Sequence, residues 1–103
     1  MYFRYTTMSK KISVSAVREA AHQLMKDNGT TTTLEVKLTL RQRGFWAVQM
    51  EVSAIMEKVA AQEDWFWQCN GRFRQYARYP EMMPNVYAPM MHGTEAFRLL
   101  FLN

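Results

Sequence analysis

The chain has a single cysteine, Cys69, among its 103 residues. That count rules out an internal disulfide framework and any cysteine-rich zinc site. Histidine is almost as scarce. His22 and His92 stand seventy residues apart, and neither has a second metal ligand at a useful spacing. No apolar run approaches membrane-spanning length, and the opening MYFRYTTMSKK lacks the apolar centre of a secretory signal. There is no glycine-rich phosphate loop, no spaced His/Asp/Glu set and no nucleophile elbow. These absences argue against an enzyme, a cofactor, a metal or a membrane partner. The expected setting is reducing and cytoplasmic, nucleoid-associated if the source is bacterial.

Hydrophobic residues make up 49% of the sequence and aromatics 14%, enough for one small core and too few residues for two. The formal net charge is +4 and the pI about 9.5, an excess that permits a polyanionic partner. Residues Lys10 to Tyr79 hold eleven Lys/Arg and seven Asp/Glu, so this segment carries the whole excess. Three segments are expected: a flexible basic arm over 1–11, a domain over 12–80, and a Met/Pro-rich tail over 81–103. Met8-Ser9-Lys10-Lys11 also reads as a second natural start.

Along the chain, Val17, Ala20, Ala21, Leu24 and Met25 recur at helical spacing. A first helix is expected from Ser13 or Ser15, with Ser15 as its cap, ending at Asn28-Gly29. His22 beside that stripe reads as a packed or surface residue. Thr30 to Thr33 favours a short strand. A second helix is expected over Thr33 to Arg43, capped by Thr33 with a capping box left incomplete at Val36. Its helical pattern rests on Leu34, Lys37, Leu38 and Arg41. The alternation of Leu34, Val36, Leu38 and Leu40 keeps a strand as the rival. After a tight Phe45-Trp46-Ala47 link, Val48, Val52, Ile55, Met56 and Val59 mark a third helix over Gln49 to Gln62.

Trp65 to Tyr79, WFWQCNGRFRQYARY, is the most informative stretch. Two aromatic-rich runs flank Asn70-Gly71, a dipeptide suited to a type I′ turn. With those two residues as the loop, Cys69 faces Arg72, Trp67 faces Arg74 and Trp65 faces Tyr76. One face then carries Trp65, Trp67, Cys69, Arg72, Arg74 and Tyr76, and the other Phe66, Gln68, Phe73, Gln75 and Ala77. Beyond Pro80 the segment 81–93 is expected to be extended or irregular, with Thr94 opening a short helix that contains Phe97, Leu100 and Phe101.

Helix, short strand, helix, tight turn, helix and hairpin, in that order, resemble the winged helix-turn-helix family. The residues that carry the likeness are Thr33-Leu34-Glu35-Val36-Lys37, Leu40-Arg41, Gly44-Phe45-Trp46-Ala47, Glu51-Val52-Ser53, Met56-Glu57, Ala60 and Asn70-Gly71-Arg72-Phe73-Arg74. The resemblance implies an α+β fold, a three-helix winged helix-turn-helix with a C-terminal two-stranded β-hairpin wing. It implies a small DNA-binding protein, of a transcription-regulatory kind, with the third helix in the major groove of double-stranded DNA. Gln49 would then pair with an adenine edge, Ser53 and Ala54 would be small enough for close approach, and Lys58, Arg41 and Arg43 would meet phosphates. Arg72 and Arg74 would reach the backbone or a minor groove.

Two other functions fit the same residues. The aromatic and Met-rich surface suits a protein-docking module, with self-association through 81–103 as one form of it. The Phe/Trp/Arg hairpin suits unpaired bases. Blander readings stand beside these: tryptophans as hairpin-to-helix core, Cys69 as an inert thiol, and Arg72, Arg74 and Arg78 as charges guarding a sheet edge.

Overall fold

The computed structural model describes residues 10–85 and 87–92. The elements are β1 (Lys10–Lys11), α1 (Val14–Asn28), β2 (Thr30–Thr32), α2 (Thr33–Gln42), β3 (Phe45–Trp46), α3 (Gln49–Glu63), β4 (Phe66–Asn70), β5 (Phe73–Ala77) and β6 (Met90–His92). A short 3₁₀ turn, Pro80–Met82, follows β5. Three helices pack beside a four-stranded antiparallel sheet of order β2-β5-β4-β6, an α+β arrangement compatible with a winged helix. β1 and β3 form a separate parallel pair, so Lys10 and Lys11, expected in the flexible arm, are tied to the α2–α3 link. The expected helix from Thr94 lies outside the described residues.

The helix ends follow from local hydrogen bonding, with two corrections. Ser13, not Ser15, caps α1; its hydroxyl accepts from the Ala16 N–H at 3.1 Å. Gly29 ends the helix at φ +87°, where a residue with a Cβ is strained. The capping box of α2 is complete, one residue earlier than the sequence reading placed it. Thr32 Oγ1 accepts from the Glu35 N–H at 3.2 Å, and Glu35 Oε1 accepts from the Thr32 N–H at 2.9 Å.

The expected apolar face of α2 is also reversed. Thr33, Val36 and Leu40 are buried, while Leu34 and Leu38 are 36% and 48% exposed. Four apolar residues at a spacing of two divide on a helix into pairs about 200° apart, so periodicity alone does not choose between them. Packing of α2 against α1 and α3 makes that choice. In α3 the buried residues are Val52, Met56, Val59 and Ala60, with Ile55 partly covered. Val48, expected in this stripe, is instead the exposed residue at the helix entry.

The hairpin forms, displaced by two residues from the expected register. Asn70 pairs with Phe73, Cys69 with Arg74 and Trp67 with Tyr76. The loop is therefore Gly71-Arg72, and only Gly71 of the two has positive φ, at +67°. Those signs belong to a type II′ turn, which takes glycine at its first central position. A slip of two preserves which side chains share a face, whereas a slip of one reverses it. Trp65 and Tyr76 accordingly enter the helical core, with Trp67 packed against it.

The opposite sheet face is covered by the chain beyond β5. Buried Gln68 donates from Nε2 to the Asn85 carbonyl at 2.9 Å and accepts from the Asn85 N–H at 3.2 Å. A side-chain amide here does the work of a strand neighbour. β6 then pairs with β4, and the His92 ring stacks on Phe66 with centroids 4.2 Å apart. The segment expected to be extended or irregular thus adds the sheet's fourth strand.

Candidate nucleic-acid interface

The sheet and helices meet at the hairpin tip, where a groove of about 240 Å³ opens between the start of α2, the first half of α3 and the turn. Gln49 and Ser53, four residues apart on α3, form one wall. Arg72, Phe73 and Arg74 form the other, and Leu34 lies at its α2 end. The fold therefore brings Gln49 and Ser53 of α3 together with Arg72 and Arg74 of the hairpin. Arg41, Arg43 and Lys58 are not among its lining residues.

The two hairpin arginines differ in what they touch. Arg74 Nη1 donates to Glu57 Oε1 of α3 at 2.7 Å, and its guanidinium lies 4.8 Å from the centre of the Trp67 ring. Partial burial alone would lower the affinity of this guanidinium for its proton. The neighbouring Tyr76 and Glu57 oxygens outweigh that effect and hold Arg74 above its ordinary range. Arg72, at the exposed turn, makes no hydrogen bond or ion pair among the described residues. One guanidinium of the pair is free to meet a ligand; the other is already partnered.

Beneath Arg74 lies Tyr76, fully buried. Burial raises its phenol above the ordinary value of 10.0, while adjacent Arg74 opposes the shift. Its hydroxyl is flanked by Arg74 and Thr33 but makes no hydrogen bond of good geometry.

The remaining predicted contacts are dispersed. Arg41 donates Nε to the Ala47 carbonyl at 2.9 Å, with its guanidinium 5.6 Å from the Trp46 ring centre, so it braces the α2–α3 link. Arg43 is exposed beside α1, in a shallow concavity that also takes in Lys26 and Arg78. Lys58 is exposed on the second half of α3. α3 has no side-chain cap, so its first N–H groups remain open to an anionic ligand.

No protein family, curated protein or solved structure matches this chain. Sequence reasoning missed Leu34 and Phe73 as neighbours of the groove. Reading Thr32 and Glu35 as the complete capping box moves the cap of α2 from Thr33 to Thr32 and leaves its first residue unchanged. The Glu57–Arg74 contact has no local signal, because it joins separate elements. Among the described residues no helix is long and apolar enough to cross a membrane, and no cluster of three His, Cys, Asp or Glu side chains could hold a metal.

Proposed function

We propose that the chain is a non-enzymatic, winged-helix module that binds double-stranded DNA, of a kind used in transcriptional regulation. In this reading α3 enters the major groove and the hairpin tip meets the backbone or an adjacent minor groove. The observation that carries it is the convergence of Gln49 and Ser53 on α3 with the unpaired Arg72 across one open groove. A hydrogen-bonding helix face supplies base contacts and the guanidinium supplies a phosphate contact. The strand between the first two helices pairing beside the hairpin, in the order β2-β5-β4, supports the winged-helix comparison.

A specific observation favours a second reading, protein docking. Trp46, Met50 and Phe73 are 55%, 81% and 51% exposed, and Glu51 adds negative charge to the first turn of α3. An apolar surface of this kind suits a protein partner better than a phosphate-lined groove.

Binding of a labelled random duplex, followed by anisotropy across salt, separates the two. The DNA reading predicts a steep fall in affinity between about 50 and 200 mM salt. Arg72→Ala should weaken binding and reduce the log–log salt slope by about one. Absence of duplex binding by the intact protein would remove this function and leave docking as the better account.

A further inference from the structure

The outer face of α3 restricts which base pairs it can select. Guanine is commonly read by arginine or lysine, adenine by asparagine or glutamine, and the thymine methyl by an apolar side chain. α3 contains no arginine. Its one lysine, Lys58, lies nine positions beyond Gln49, about 13 Å along the axis. Glu57, whose carboxylate could accept from cytosine, is held by Arg74 at 2.7 Å, and Glu51, two positions from Gln49, lies about 160° away from it around the helix.

Two rows of side chains adjoin at the open end of this helix. Gln49 and Ser53 make a polar row beside the groove, and Met50 and Ala54 an apolar row next to it. Gln49 and Ala54 are exposed, and Met50 is 81% exposed, gaining almost no burial within the fold. An adenine–thymine pair has a matching arrangement in the major groove, with the adenine N6/N7 edge beside the thymine oxygen and methyl group.

We infer that α3 selects A·T base pairs, with Gln49 hydrogen-bonding the adenine edge and Met50 and Ala54 contacting thymine methyl groups. The ligand of this site is thus A·T-rich double-stranded DNA. The inference rests on the duplex-DNA reading above and deepens it by assigning the base preference to the major groove.

The test uses the full chain and four labelled duplexes of equal length. One contains only A·T pairs in mixed steps, the second replaces thymine by uracil, the third contains only G·C pairs, and the fourth pairs inosine with cytosine. Inosine lacks the guanine amino group, so that duplex has an A·T-like minor groove and a G·C-like major groove. The A·T duplex should bind roughly tenfold more tightly than G·C, and uracil should weaken it several-fold. The inosine duplex should bind like G·C.

Gln49→Ala should remove most of the A·T over G·C preference, and Met50→Ser the thymine over uracil difference. Circular dichroism should match the wild type for both, because each side chain is exposed. Equal wild-type affinity for all four duplexes would overturn the inference while leaving duplex binding intact. An inosine duplex that matches A·T would also overturn it, by moving the preference to the minor groove. Failure to bind any duplex would overturn both readings.

Discussion

On the proposed DNA-binding function, Glu57→Gln tests whether the paired hairpin arginine, Arg74, is held back from the duplex. Glu57 and Arg74 meet at 2.7 Å with their side chains 48% and 28% exposed, so solvent screens much of the attraction. Removing the charge should cost less than about 1 kcal/mol of folding stability, and a glutamine oxygen can still accept from the guanidinium. On DNA the effect should have the opposite sign. The substitution removes a negative charge from α3 and leaves Arg74 available for a phosphate. One added phosphate contact steepens the log–log salt slope by about 0.9 and raises affinity roughly three- to tenfold near 0.1 M salt. Anisotropy across salt measures the slope, and urea unfolding measures the stability. An unchanged slope in a normally folded variant would refute the claim that Glu57 withholds a DNA-facing cation.

Tyr76 makes stability fall in alkali. Its folded pKa is raised above 10.0 by burial, so the unfolded chain loses the phenolic proton first. The contribution is complete below about pH 10 and is lost as pH rises through the folded value; Tyr76→Phe should flatten that decline in urea midpoints. Gln68→Leu leaves both Asn85 backbone groups without their side-chain partner, at a cost of about 1–3 kcal/mol. Hydrogen exchange should accelerate at Asn85 and β6 before the helices, and uniform protection would refute that role for Gln68. Thr32→Ala and Ser13→Ala should each cost about 1 kcal/mol, whereas Ser15→Ala should stay within roughly 0.5. Equal losses at Ser13 and Ser15 would reject the observed α1 cap.

Local chemistry alone determined that three helices and a hairpin would form. Gly29 ends α1 because it takes positive φ, the box at Thr32 and Glu35 opens α2, and the aromatic runs around Gly71 make the hairpin. Each depends on residues within a few positions and so lies within reach of a linear reading, although the expected cap of α2 is Thr33 and the observed one is Thr32. Tertiary packing decided the buried face of α2, because Leu34 with Leu38 and Val36 with Leu40 are equally helical pairs. It also selected Gly71-Arg72 over Asn70-Gly71 as the loop, since a two-residue slip keeps the same side chains on each face. The groove itself is tertiary in origin. Gln49, Arg72 and the Glu57–Arg74 pair acquire their spatial relation only when α3 crosses beside the hairpin, and no spacing within one element encodes that distance.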